Sequence, residues 1–276
     1  MIYQTRYSFF NPSPGWRSKA SKEQDVLFDA ERLRRRQYFF EKITLQSLAD
    51  QSDQDFAMHI LSAAAMPEVF KRELVTLCRD MLGDRAHVQF AEPGPTHVFF
   101  RSYCWEHFSA DPWTTQVVLD DDDALSVDFN GKLHAEAAAA TPLRARTENY
   151  TCISHACGVT ALFQDGKLTL HPRVNAATNL GLAIVAPSKS RYSLFDISHK
   201  NIMRDRPSRI IYSQSPYYIR SVHGDNDSRG LYDKELLPEK RIAEVFKYFP
   251  LMNSLTNDWE TNFVNANSGE KSGSDA

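Results

Sequence analysis

The sequence predicts an α/β fold, with a mostly parallel central sheet flanked by helices and a smaller, mixed-β second half. Three observations predict it. Between Tyr3 and Leu119, short β-rich apolar runs alternate with stretches of helical period. The last of those runs ends in four consecutive aspartates, Asp120–Asp123. Beyond Tyr150 the pattern changes to short strands joined by turn signals.

Tyr3–Phe10 alternates large apolar residues with polar ones and reads as the first strand. Asn11-Pro12-Ser13-Pro14-Gly15 ends it, because Pro and Gly impose turn conformations. A long helix is expected from about Gln24 to Asp50, since Leu33, Phe40, Ile43 and Leu48 share one face while Arg34 and Arg35 point away. The run Arg32–Arg36 is open to two readings, a phosphate or peripheral membrane contact and a solvated helix face. Asp55–Leu61 reads as a buried strand. Pro67 suits the first turn of a helix on which Val69, Phe70, Leu74, Leu77, Cys78 and Met81 recur, and Gly83 can close it. His87–Ala91 and Gln116–Leu119 are two further strands. Strands separated by helices require crossover connections, hence parallel pairing.

In the second half, Tyr150–Ile153 and Val159–Gln164 read as strands, and Asp165-Gly166 is a two-residue hairpin turn returning through Lys167–Leu170. Leu182–Val185 and Tyr217–Val222 follow as strands. An amphipathic helix is expected after Pro238, with Ile242, Val245, Phe246 and Phe249 on one face. Residues 265–276 contain almost no apolar residue, so a disordered tail is expected.

Composition narrows the function classes. The chain has 276 residues and a formal net charge of −3, which lacks the basic footprint of a nucleic-acid binder. The apolar run near Leu180–Pro187 is far too short to span a bilayer, and Met1–Arg6 lacks the basic-then-apolar layout of a signal peptide. A cytoplasmic location is therefore expected. Cys78, Cys104, Cys152 and Cys157 form no C-x-x-C pairs. Cys152, His155 and Cys157 cluster locally and would share a zinc only if a fourth ligand joined them.

The acidic run carries the chemistry. Four adjacent carboxylates repel one another unless a cation or a helix N-terminus offsets them. Asp is a poor strand former, so the run belongs at the C-terminal edge of the strand before it, where open α/β sheets bind ligands. Carboxylates suit a hard divalent cation, Mg²⁺ or Mn²⁺. The structural alternative is that Asp122 or Asp123 caps a helix starting near Ala124.

The segment Val118-Leu119-Asp120-Asp121-Asp122-Asp123-Ala124-Leu125 resembles the D-x-D motif of GT-A glycosyltransferases. More narrowly, the chain resembles a bacterial family of rhamnosyltransferases over roughly residues 3–230. The stretches that carry the resemblance are Thr5-Arg6-Tyr7-Ser8 with Trp16, Arg32–Arg36 leading to Phe40-Glu41, Thr44–Leu48, Gln51-Ser52-Asp53, Asp55-Phe56 and Met66-Pro67. Near the other end, Tyr217–Asn226 resembles a His-Gly-x-Asn segment. Gln46 stands where the family pattern has proline, and Val118 where it has arginine.

The resemblance implies a GT-A-like (Rossmann-like) domain over residues 1–264, with a nucleotide-sugar-binding half at 1–125 and an acceptor-side half at 126–264. It implies a nucleotide-sugar donor, with rhamnose as the sugar, and a carbohydrate or other hydroxyl acceptor. Asp120 and Asp122 would be the D-x-D pair, Asp120 near the donor ribose and metal, Asp122 on the metal, and Asp123 in support. Asp121 would serve in an alternative register, and His223 would be a late metal ligand. Arg6, Tyr7 and Ser8 would meet the nucleotide, an aromatic such as Tyr7 or Phe9 either stacking on its base or packing in the core. The loop Asn179-Leu180-Gly181 would border the donor. An inverting reaction needs a base, for which Asp196, expected to open a short helix, is the candidate and His199 the runner-up.

Two other classes compete. A nucleotidyltransferase usually carries a glycine-rich phosphate loop after its first strand, whereas residues 11–15 hold one glycine. A non-catalytic carbohydrate- or calcium-binding module would turn over no nucleotide sugar, and the EF-hand pattern is absent. A glycosidase is disfavoured because no isolated carboxylate pair stands out.

Overall fold

The computed structural model describes residues 1–11, 23–144, 149–196, 199–224 and 235–256. The predicted turn at residues 12–15, part of the His-Gly-x-Asn segment and the tail at 265–276 lie outside them.

The seven-stranded central sheet contains β1 (Ile2–Tyr7), β2 (Ala57–Ala63), β3 (Ala86–Ala91), β4 (Trp113–Val118), β6 (Thr151–His155), β9 (Ala183–Pro187) and β10 (Ser208–Ile211). Their order is β10-β6-β9-β4-β1-β2-β3. Only β9 runs against its neighbours, β4 and β6. The remaining neighbours, β1–β2, β1–β4, β2–β3 and β10–β6, pair in parallel. The expected mostly parallel α/β sheet is therefore present. It draws strands from both sides of residue 126, so the chain's two halves share one sheet.

A second sheet, ordered β5-β11-β7-β8, is mixed. It comprises β5 (Ala124–Leu125), β7 (Cys157–Gln164), β8 (Lys167–Val174) and β11 (Tyr218–Val222). Asp165 (φ 52°) and Gly166 (φ 71°) form the β7–β8 turn, the two left-handed residues a tight hairpin needs.

The long helix expected over 24–50 comes in pieces: α1 (Gln24–Leu27), α2 (Ala30–Phe39), a π-helical stretch (Phe40–Leu45) and α3 (Gln46–Ala49). Asp29 restarts it as the N-cap of α2, its carboxylate accepting from Arg32 N at 2.9 Å. Leu33, Phe40, Ile43 and Leu48 are fully buried, as their spacing predicts. The arginine run divides. Arg34 is exposed, whereas buried Arg32 donates to the Leu27 carbonyl at 3.0 Å and Arg36 reaches the acidic run.

On α4 (Glu68–Leu82), Phe70, Leu74, Cys78 and Leu82 form the buried stripe, while Val69 faces solvent at 47% exposure. Gly83, at φ 61°, ends it. Helix α5 (Thr96–His107) and strands β5 and β10 answer to no expected element, while α6 (Phe129–Arg144) and α7 (His199–Asp205) start later than the helices expected near Ala124 and at Asp196. The last helix, α8 (Glu239–Tyr248), follows Pro238 as expected. Among the described residues no helix is long and apolar enough to cross a membrane.

Candidate active site

The acidic run leaves the C-terminal end of β4 beside β1. Leu119 N donates to the Gln4 carbonyl at 3.3 Å, and Thr5 Oγ1 donates to the Leu119 carbonyl at 2.8 Å. These bonds fix the backbone just before the first aspartate. The chain then turns, Asp123 N bonding the Asp120 carbonyl at 3.4 Å, and enters β5. The helix expected to begin near Ala124 is therefore not there. Ala124 and Leu125 pair antiparallel with Ile219 and Tyr218 of β11, and the next helix starts at Phe129. Ala124 and Leu125 are buried, and strand pairing there displaces a helix start, so neither Asp122 nor Asp123 caps one.

Each carboxylate meets a different partner. Asn179 Nδ2 donates to Asp120 Oδ2 at 3.1 Å. Arg36 grips Asp121 with two nitrogens, Nε at 3.0 Å from Oδ2 and the other guanidinium nitrogen on Oδ1. His223 Nε2 lies 3.0 Å from Asp122 Oδ2, and Ser221 N donates to Asp123 Oδ1 at 2.9 Å. The His223 ring stacks on Phe39, centroids 3.9 Å apart. Phe39 ends α2 and the π-helical stretch follows it. There Thr44 Oγ1 donates to the Asp120 carbonyl at 3.4 Å, so the irregular helix backbone borders the site.

Burial works against four negative charges in one place. It raises Asp120 and, further, Asp123, which also feels Asp122 and Asp120. Asp121 is pushed up to about 6 by burial, with Arg36 opposing. Burial would lift Asp122 too, but the hydrogen bond and charge of His223, with Arg36 and Arg220, hold it below the ordinary carboxylate value. Asp122 is thus the member of the run whose surroundings favour the anion.

The other predicted residues occupy distinct places. Arg6 acts on Asp120 electrostatically and lies over the Phe195 ring at 5.7 Å. Tyr7 is buried against Phe40, centroids 5.1 Å apart, so it occupies the core, and Phe9 packs against Phe99. Ser8 has φ 45°, a left-handed conformation that a non-glycine residue adopts at a cost, and its buried hydroxyl has no partner. Gly181, at φ 64°, donates its N–H to the Val118 carbonyl at 3.0 Å, and a Cβ there would lie 2.7 Å from Phe129. Only glycine fits, and it sets the loop that brings Asn179 to Asp120.

Asp196 does not open a helix: α7 begins at His199. Its Oδ2 accepts from Ser193 N at 3.1 Å, and its Oδ1 lies 3.2 Å from His97 Nδ1. His199 is half-buried, and its pKa is lowered by burial and by Lys200, with Asp120 opposing. Arg173 of β8 was not anticipated. It acts on both His199 and Tyr218, and its buried Nε has no partner. The strand expected over Lys167–Leu170 continues to Val174, which brings Arg173 into β8.

Among the described residues no three His, Cys, Asp or Glu side chains are grouped to hold a metal on their own. The local Cys152, His155 and Cys157 set therefore forms no zinc site. Cys152 is buried in β6 with its thiol pushed up to about 12, and His155 is fully buried and held neutral, its pKa lowered to about 4 by burial.

The acidic cluster thus sits at the C-terminal end of a strand in a mostly parallel sheet, the edge where open α/β sheets bind ligands. The chain belongs to the family described as "Putative rhamnosyl transferase", which it matches over residues 1–234. No curated protein matches it. Among solved structures it is similar to TarS 1–349 of S. aureus, at 11% identity and a TM-score of 0.41, over 80% of this chain and 60% of that one. The chain thus spans less than two thirds of that structure. A "putative nucleotide-diphospho-sugar transferase" from Desulfovibrio desulfuricans G20 is similar at 12% identity and TM-score 0.41, over 95% of this chain and 97% of that one. The galactosyltransferase LgtC with donor and acceptor sugar analogues is similar at 12% identity and TM-score 0.28, over 74% and 64%.

Proposed function

We propose that this protein transfers a sugar from a nucleoside diphosphate donor to a hydroxyl acceptor with the help of a divalent cation, Mg²⁺ or Mn²⁺. The pairing of Asp122 with His223 at 3.0 Å carries the reading. That contact is a hydrogen bond as it stands, and the same carboxylate and imidazole would hold a cation in place of the shared proton. With Asp120 beside them, the site offers carboxylates and an imidazole. The incomplete protein ligand set suits Mg²⁺-type sites, where one or two carboxylates share the ion with substrate phosphates. Asp123, tied to Ser221 N, supports the pair.

A cation bound there supplies charge neutralisation for the departing diphosphate. The chain's own residues do the rest. Arg6, beside Asp120, adds positive charge at the same edge of the sheet. Arg36 fixes Asp121 and keeps that carboxylate turned to the helix. Asp196 is the candidate base for the acceptor hydroxyl. His199 is the alternative: burial and Lys200 favour its neutral imidazole, which can take a proton, and Asp120 would stabilise the imidazolium that results. The family description supports rhamnose as the sugar transferred.

Thermal-shift measurements with dTDP, UDP and GDP, each with Mn²⁺ and with EDTA, test this reading. At least one nucleotide should raise the Tm, and only with the metal. Absence of a metal-dependent shift for all three would overturn it.

A further inference from the structure

A cavity of about 650 Å³ lies between α5 and the outer strands of the central sheet, β2 and β3. That volume falls within the usual range of small-molecule sites. None of the residues lining it belongs to the acidic run or its partners. Its wall is aromatic. Tyr103 stacks on His59 with centroids 4.0 Å apart and lies 4.2 Å from the His107 ring. Gln89, Ser102 and Glu106 add polar atoms.

We propose that this cavity binds an uncharged saccharide, an outer unit of the acceptor chain. His59 lines it, is fully buried, and spends one ring nitrogen on Gln89: Nε2 lies 2.9 Å from Oε1. With Nε2 donating there, Nδ1 is a lone-pair acceptor, and it is buried with no partner. The buried Tyr103 hydroxyl has no partner either. An unpaired buried polar group costs free energy, which a ligand hydroxyl would recover by donating to His59 Nδ1 and bonding Tyr103. Burial lowers the His59 pKa to about 4, so the imidazole is neutral at pH 7.

The lining contains no Lys or Arg, which disfavours phosphates and nucleotides. A quaternary ammonium ion would leave His59 Nδ1 unbonded because it has no hydrogen to donate. A ligand rich in hydroxyls, with C–H faces to lie against Tyr103 and Phe99, satisfies both features. Phe99 also touches Phe9, just beyond the C-terminal end of β1, so one end of the cavity approaches the edge of the sheet that carries the acidic run.

The assignment to an acceptor rests on the transferase reading, but sugar binding itself does not. Saturation-transfer NMR with cellotriose, maltotriose and mannotriose, without nucleotide or metal, tests it on wild type and on Tyr103→Phe, Glu106→Gln and Asp122→Asn. Wild type and Asp122→Asn should bind at least one trisaccharide. Tyr103→Phe, which keeps the ring, should bind it about tenfold more weakly, and Glu106→Gln should also weaken it. No transfer to any trisaccharide at ~10 mM, or equal affinity in wild type and Tyr103→Phe, would overturn the proposal. So would an extended peptide binding along the free edge of β3 and protecting the same residues while the sugars do not. Nucleotide binding measured in parallel separates the two readings: its failure with sugar binding intact removes the transferase and leaves the saccharide site.

Discussion

Asp122 and His223, 101 positions apart, face each other at 3.0 Å, and Phe39 stacks flat against the imidazole from behind. The pair joins the end of β4 to the end of β11, so the two sheets meet at the site. If both side chains hold the cation, Asp122→Asn should abolish Mn²⁺-dependent nucleotide binding. His223→Phe, which keeps the stacking on Phe39, should weaken it by about 10- to 100-fold. Both variants should retain the wild-type circular dichroism spectrum. Unchanged nucleotide affinity in Asp122→Asn would remove the run from the metal site.

Arg36 and Asp121 form a buried ion pair, their side chains 10% and 3% exposed. Removing one partner strands the other charge. Arg36→Met should therefore destabilise the fold by about 3–5 kcal/mol, and Arg36→Met/Asp121→Asn should recover most of that loss. Denaturant unfolding of the two variants against wild type checks it. A double variant as unstable as the single one would mean that packing of the arginine stem, not charge, is what Arg36 contributes.

His59 and His155 are both fully buried with pKa lowered to about 4. In the unfolded chain each titrates near 6.5. Their contribution to stability is thus whole above about 6.5 and is lost as pH falls towards 4, because the unfolded chain takes up protons that the folded chain refuses. Each should cost about 2 kcal/mol between pH 7 and pH 5. The raised Asp121, at about 6, works in the other direction, its folded form gaining from acid. The difference between wild type and His59→Gln/His155→Gln isolates the histidines: the variant's stability should fall less from pH 7 to 5. Parallel pH profiles would show that the two rings are not buried neutral.

Elements that repeat a simple period were legible in the sequence. The β1 alternation, the α4 stripe and the Asp165-Gly166 turn each depend on neighbours within a few residues. Asp120–Asp123 was legible because four adjacent carboxylates demand an explanation wherever they fall. Short elements that exist only through distant pairing were not. Ala124–Leu125 becomes a strand because β11, almost a hundred residues later, offers it an edge. The partners of the run, Arg36, Asn179 and Ser221, arrive from three separate segments. No local pattern marks α5 either: Thr96–His107 mixes aromatic and polar residues around its circumference, buries Phe100 and Cys104, and turns Tyr103 and His107 to the cavity.

The base is decided by a comparison of two residues three positions apart. Asp196 already accepts a backbone N–H from Ser193 and lies 3.2 Å from His97, so its carboxylate is partly committed. His199 begins α7, is held neutral by burial, and is close enough to Asp120 to feel its charge. Asp196→Asn keeps the size and the ability to accept from Ser193 but removes basicity. His199→Gln keeps hydrogen bonding without a titrating nitrogen. The variant that loses the base should bind the donor with unchanged affinity while turnover falls by roughly 10² to 10⁴, the usual worth of general-base catalysis. Its pH–rate profile should also lose the limb on which the base ionises. If turnover falls only in Asp196→Asn, the carboxylate takes the proton. A fall only in His199→Gln transfers the role to the imidazole beside Asp120. Near-normal turnover in both, with donor binding intact, would reject both side chains and point to a transfer that retains configuration without an enzymic base.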